Sequence, residues 1–272
     1  MIRIATWLVV FAAVPAVRLF AQHEMVPVQF CRGPAIHMFD GHSLRGWSKR
    51  DGSPHDGWTV DDTALHRRAG GGDLYYQYPV GDFELTFRWR IAPGGNSGLK
   101  YRVRPYGNQW LGCEYQILDD PGHRDANKAA GLYDVFDPPA HSPPAIAGVW
   151  HQSRIVVAGN HIEHWLNGVR TVCTTVGSPE WQEAVANSKF SGREEFGENR
   201  EGRLFLQDHG DAVWYRDLVL VPLFPVATAG GPDVQAGPAE CRTTRCRPVR
   251  RRARRPICID WRRRGCRANW SR

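Results

Sequence analysis

Apolar and polar positions alternate along much of the chain. Phe83, Leu85, Phe87, Trp89 and Ile91 interleave with Glu84, Thr86, Arg88 and Arg90, a period of two that predicts a strand with one apolar face. Leu99, Tyr101 and Val103 alternate with Lys100, Arg102 and Arg104 in the same way. Residues 154–158 and 161–166 flank Gly159-Asn160, and Asn167-Gly168 then leads into residues 169–174. Two tight turns between alternating runs predict a three-stranded meander. Residues 203–207 and 213–221 read as further strands, and one short helix fits residues 179–188. Many short strands with almost no helix predict an all-β sandwich of two antiparallel sheets. Each sheet then has an apolar inner face and a more polar outer one, and one outer face can hold a ligand.

The chain ends depart from this pattern. Met1-Ile2-Arg3 precedes a mostly apolar run over residues 4–17, followed by Arg18, Leu19, Phe20 and Ala21. This reads as a secretory signal peptide over residues 1–21, with Ala16 and Ala21 both acceptable before the cleaved bond. The run is shorter than the roughly 20 residues a spanning helix needs, and no longer one follows. The expected product is therefore exported, to the periplasm or beyond the cell, with no integral membrane segment after signal cleavage. Residues 22–36 read as a linker, 37–223 as one domain, 224–240 as a second linker rich in Pro, Gly and Ala, and 241–272 as an Arg- and Cys-rich disordered tail.

Charge is divided as sharply. The net +7 at first suggests an anionic partner. Residues 241–272 hold 13 Arg and one acid, Asp260, which leaves 22 basic against 27 acidic side chains in residues 1–240. The body is mildly acidic and only the tail is basic. The tail reads as a polyanion contact, as a solvated end, or as a product of the wrong reading frame. Of the seven cysteines, Cys31, Cys113 and Cys173 lie in the body, an odd number that leaves one without a partner there. The four in the tail lack zinc-ribbon spacing, so disulfides are the plainer expectation.

Several phrases in order carry a resemblance: MFDGHSLRGW at 38–47, GWTVDD at 57–62, GDFEL at 81–85, APGGNSGLKY at 92–101 and EYQILDD at 114–120. AGLY at 130–133, HWLNGV at 164–169, SKF at 188–190 and LQDHG at 206–210 complete the series. Over roughly residues 37–223 the chain resembles the DUF1080 family, the 3-keto-disaccharide hydrolase domain. The resemblance implies a concanavalin A-like jelly-roll β-sandwich that acts on sugars oxidised to a ketone at C3. Such a ketone acidifies the C2 hydrogen, so a base can drive elimination of the C1 oxygen. That chemistry needs a base near C2, an electrophile near the C3 oxygen and a proton source at the leaving oxygen.

Candidates for these roles come from strand parity. Glu114 and Gln116 share one face of their strand while Tyr115 and Ile117 share the other. With Tyr115 and Ile117 in the core, Glu114 projects to the ligand side as the base; a solvated or Arg-paired glutamate is the alternative. Lys100 follows a loop, Gly94-Gly95-Asn96-Ser97-Gly98, and is the candidate enolate stabiliser, or else half of a surface ion pair. His209 is the candidate acid with Asp208 orienting it, or a His-Gly turn capped by Asp208. Gln116, Gln207 and Arg102 are candidate substrate-binding groups, and Trp165 is either a sugar platform or core. Asp119 and Asp120 either bind a divalent cation or cap their own turn. Cys113 reads as a buried structural thiol. Two rivals share these data: a non-catalytic, lectin-like glycan-binding module, and an envelope-anchoring protein that binds through its basic tail.

Overall fold

The computed structural model describes residues 29–123 and 128–226. The expected signal peptide, the Arg-rich tail and the linker residues 22–28 and 227–240 lie outside the described residues. In chain order the elements are β1 (Phe30–Arg32), β2 (Ile36–His37), β3 (Trp47–Ser48), β4 (Trp58–Asp61), β5 (Ala64–Arg67), β6 (Leu74–Tyr76) and β7 (Phe83–Ile91). Then follow β8 (Asn96–Tyr106), β9 (Gln109–Leu118), β10 (His151–Ala158), β11 (His161–Leu166), β12 (Val169–Thr175), α1 (Pro179–Ala186), β13 (Phe205–Leu206) and β14 (Val213–Pro225). Every strand pairing is antiparallel, and the strands form two sheets. One runs β12-β11-β10-β7-β14-β5-β4, with β1 and β2 also on β14; the other runs β3-β6-β13-β8-β9. This is the two-sheet jelly-roll sandwich that the alternation and the family resemblance both imply.

The period-two reading of residues 83–91 holds residue by residue. Phe83, Leu85, Phe87, Trp89 and Ile91 are all buried in one core with Leu99, Tyr101, Tyr115, Ile155 and Tyr215. Each such side chain removed from water contributes about 1.5–3 kcal/mol. The core hydroxyls and ring nitrogens are paired with one another. Tyr115 Oη meets Ser153 Oγ at 2.6 Å, and that oxygen accepts from Trp89 Nε1 at 2.8 Å. Tyr101 Oη lies 2.7 Å from His164 Nε2, and burial lowers the His164 pKa to about 3. A neutral His164 therefore accepts at Nε2 and donates from Nδ1 toward Gly131 O at 3.2 Å.

Three local expectations change. Residues 30–32, read as linker, pair with residues 223–225 of β14, and Phe30 packs on Val156, Ala158 and Leu223; a three-residue strand is too short to show a period. Asn96-Ser97-Gly98, read as loop, opens β8, with Gly98 opposite Gln116. The alternation in β8 breaks at a bulge between Tyr101 and Arg104, where Arg102 has φ +52. An extra residue reverses the faces beyond it. Val103 therefore joins Tyr75 and Phe205 outside the main core, while Arg102 is buried. The helix appears as α1, with Ser178 accepting from Trp181 N and Trp181 buried. Cys113 is the buried unpaired thiol, its pKa raised to about 12 by burial, while Cys31 and Cys173 are disulfide-bonded.

Candidate active site

On β9, Leu111, Cys113, Tyr115 and Ile117 face the core. Strand parity turns Trp110, Glu114 and Gln116 to the outer face of the five-stranded sheet. On β8 the same rule turns Gly98 and Lys100 outward. Register then aligns one row across the sheet: Ser48, Tyr75, Phe205, Lys100 and Glu114 are consecutive cross-strand partners. The neighbouring row holds Gln207, whose N–H donates to Gly98 O at 2.8 Å, then Gly98 and Gln116.

Glu114 does not stand upright on this face. A Cβ at Gly98 would lie 2.3 Å from Glu114 Oε1 and 2.9 Å from its Cγ and Cδ. The side chain thus lies across β8, in the space left by the missing methyl group. Its other oxygen is 3.3 Å from Lys100 Nζ, and only 4% of the Glu114 side chain is exposed. Lys100 also sits 5.5 Å from the Phe205 ring centroid. Burial pushes the Glu114 pKa up; the ammonium of Lys100, and then that of Lys189, pull it back, while Asp73 adds to the rise. The result is a desolvated carboxylate kept near ionisation by a lysine, an arrangement suited to a general base.

Gln116 and Gln207 flank this carboxylate with unfilled acceptors. Gln116 is 3% exposed, and its Nε2 donates to Asn96 Oδ1 at 2.8 Å. Its Oε1, and Oε1 of Gln207, are buried with no hydrogen-bond partner. Buried orphan acceptors are uncommon and mark a place for a donor, such as a ligand hydroxyl.

Four further residues reach this face without a local sequence signal. Asp73, just before β6, accepts from Asp208 N at 2.9 Å, and its pKa is raised by burial despite that bond and the Lys100 charge. Tyr133 donates its N–H to Glu114 O at 3.0 Å, and Lys189 Nζ lies 3.8 Å from the Tyr133 ring centroid. Trp110 is 39% exposed, with the Arg50 guanidinium 5.5 Å from its ring centroid. Tyr133 and Lys189 belong to the AGLY and SKF phrases, which carried the family resemblance but no assigned role.

Other candidates lie elsewhere or are committed to the fold. Asp208 Oδ1 accepts from Arg67 Nε at 2.7 Å and from Gly210 N at 3.1 Å, and Oδ2 accepts from Gly72 N at 3.0 Å. This is a capped turn, so Asp208 does not orient His209, which is exposed. Arg102, 2% exposed, donates to Gly197 O at 3.0 Å and to Gly159 O. The bulge turns it away from the face of Lys100. Trp165 is on β11, on the outer side of the other sheet; it donates to Glu163 Oε2 at 2.9 Å and lies under Arg154 and Arg170.

Asp119 accepts from Gly94 N and Ala147 N, while Asp120 accepts from Lys128 N, Ala129 N and Ala145 N. All four carboxylate oxygens thus hold backbone N–H groups, the alternative to a cation that the Asp-Asp-Pro-Gly run allows. His161, Glu163 and Cys173 bring three ligand-type atoms within 4.8 Å, yet the Cys173 sulfur is in a disulfide, so this set lacks a thiolate. Among the described residues, no helix is long and apolar enough to cross a membrane.

Known proteins resemble much of the chain. A curated relative, a 3-keto-disaccharide hydrolase of Bacteroides thetaiotaomicron, is 29% identical over 225 residues, covering 67% of this chain and 76% of the relative. A solved structure from Parabacteroides distasonis, assigned as a glycosyl hydrolase, superposes with TM-score 0.62 at 25% identity, over 68% of this chain and 92% of that one. A second from that organism shares the fold at 21% identity and TM-score 0.54, over 69% of this chain and 98% of the other. Residues 34–221 match the profile of the 3-keto-alpha-glucoside-1,2-lyase-like domain. With most of its length inside that match, the chain belongs to the 3-keto-alpha-glucoside-1,2-lyase-like family.

Proposed function

We propose that the protein is a glycoside-cleaving enzyme that acts on 3-keto-glycosides by C2 proton abstraction, elimination and hydration. The observation that supports this reading most directly is the buried Glu114 carboxylate, lying over Gly98 with Lys100 Nζ at 3.3 Å. Glu114 takes the C2 proton, and the Lys100 ammonium offsets the charge that develops on the C3 oxygen. The C1–O bond then breaks as C1=C2 forms, and the leaving oxygen takes a proton from an acid. Asp73 suits that role, because burial keeps its carboxyl protonated to higher pH. Water then adds to C1 and gives its proton to the Asp73 carboxylate, Glu114 returns the proton to C2, and the net reaction is hydrolysis with both carboxyls restored. Gln116 and Gln207 offer their open acceptors to sugar hydroxyls, and Trp110 and Tyr133 present exposed rings. A family match and a relative named for 3-keto-disaccharides support the substrate class. Export to the periplasm or beyond the cell belongs to the same proposal. The signal-like N-terminus supports it, as do two disulfide-bonded cysteines, which fit an oxidising compartment.

The test is to incubate the purified protein with 3-keto-trehalose and with trehalose, following release of 3-keto-glucose or glucose. Turnover of the keto-sugar alone is expected, with Glu114→Gln inactive. Equal turnover of trehalose would replace elimination with a two-carboxylate glycosidase mechanism. Sugar binding without turnover would leave a lectin-like module.

A further inference from the structure

On the opposite side of the sandwich, the outer face of the nine-stranded sheet carries a second set of planar groups. Trp214 is the cross-strand partner of both Arg90 and His66. Trp150 precedes His151, which pairs with Trp89, and so stands beside Arg90. His66 stacks on Trp214 with ring centroids 4.3 Å apart and planes at 12°. The Arg90 guanidinium lies 4.5 Å from the Trp214 centroid and 5.1 Å from that of Trp150, and Arg216 lies 4.0 Å from Trp150. Aromatic faces hold guanidinium groups in place while leaving their N–H edges available.

Next to this stack, Arg88 and Arg216 are direct cross-strand partners. Like charges at that position destabilise a sheet. One carboxylate, Asp217, stands between them at 3.7 and 3.8 Å, too far for a hydrogen bond. Arg216 Nε is buried with no hydrogen-bond partner. A hollow of about 320 Å³ opens here, lined by Arg88, Trp150, Gln152 and Asn167. An indole, two amides and a guanidinium around one hollow suit a saccharide ring, and two under-neutralised arginines suit a carboxylate on it.

We propose that this hollow is a second saccharide site, separate from Glu114, that binds a uronate-type acidic glycan through Arg88, with Trp150 and Gln152 as its other contacts. The carboxylate relieves the Arg88–Arg216 repulsion, so charge complementarity selects acidic over neutral sugars. This proposal does not depend on the activity at Glu114.

Calorimetric titration of the full chain with trigalacturonate, and with maltotriose as the neutral probe, tests it. Saturable trigalacturonate binding that weakens with added salt is expected. Arg88→Ala should raise Kd at least about tenfold, as expected on removing a charge-assisted hydrogen bond, and Gln152→Ala should raise it less. Glu114→Gln should leave it unchanged. Both substitutions on this face are at exposed positions, so circular dichroism should report native folding. Absence of trigalacturonate binding, equal affinity for maltotriose, or a loss in Glu114→Gln but not in Arg88→Ala would each overturn the proposal.

Discussion

Replacing Gly98 with alanine puts a methyl carbon 2.3 Å from Glu114 Oε1 and 2.9 Å from its Cγ and Cδ, where 3.4 Å is the start of ordinary contact. The carboxylate must withdraw by about 1 Å, and a displacement of that size costs on the order of 100-fold in rate when the moved group does chemistry. Stability should respond differently. The obstructing atoms belong to a side chain that can rotate, and its Lys100 partner is 17% exposed and able to follow. Alanine also removes backbone freedom from the unfolded chain, worth about 0.4–1 kcal/mol in favour of folding. Gly98→Ala should therefore lower kcat on a 3-keto-glucoside about 100-fold while thermal melting moves by only a few degrees. Single-turnover kinetics, which isolates the chemical step, and a melting scan on the same sample read both quantities. Undiminished turnover would refute the reasoning, because the Glu114 carboxylate would then not be needed where the structure puts it. A large fall in melting temperature with normal turnover of the folded fraction would refute it equally.

The remaining expectations concern charge and loop anchoring. Burial raises the Glu114 pKa above 4.5 and Lys100 opposes the rise. The acidic limb of kcat against pH should therefore lie above the ordinary carboxylate range, and Lys100→Met should move it higher while lowering kcat about 100-fold; an unmoved limb would contradict the pairing. Because the native Glu114 pKa is raised, its contribution to stability is present below the unfolded value and is lost as pH rises through the native one. Glu114→Gln should therefore gain stability over the parent as pH rises from the ordinary carboxylate range through the raised native value. Melting curves with the same pH slope for both proteins would be the contrary result. Asp120→Ala would strand the N–H groups of Lys128, Ala129 and Ala145, a loss of about 3 kcal/mol visible as a lower denaturant midpoint. A chelator should leave the parent's melting temperature unchanged; a fall on chelation would give the Asp119-Asp120 pair back to a cation.

How much of this was legible beforehand follows from which contacts are local. The face of residues 83–91 was readable because β7 is regular over its length and lies between two long partners. The outward turn of Glu114 was readable from Tyr115 and Ile117, two apolar residues on the opposite parity. Val103 was misplaced because the bulge rests on an arginine at φ +52, a conformation no residue type announces. Gly98 was read as loop because glycine is depleted in strands; its reason for being there is a side chain on the next strand. Asp208 binds Arg67, 141 residues earlier, and nothing near LQDHG foretells that partner. Parity put Trp165 opposite His164, but parity cannot say to which sheet a hairpin belongs. Asp73, Tyr133 and Lys189 converge from three loops, and convergence of that kind is written only in the fold.

The segment that brings Tyr133 to Glu114 has a second consequence. β9 is the last strand of its sheet, and such a strand offers unpaired N–H and C=O groups to any other chain. Here Ala130 N donates to Gln116 O, Gln116 N to Gly131 O, and Tyr133 N to Glu114 O. This loop therefore also shields the Glu114–Gln116 stretch of β9 from strand-to-strand pairing. Shortening or loosening that loop to admit a bulkier ligand would uncover a sticky border, so a change of specificity made there carries a cost in solubility.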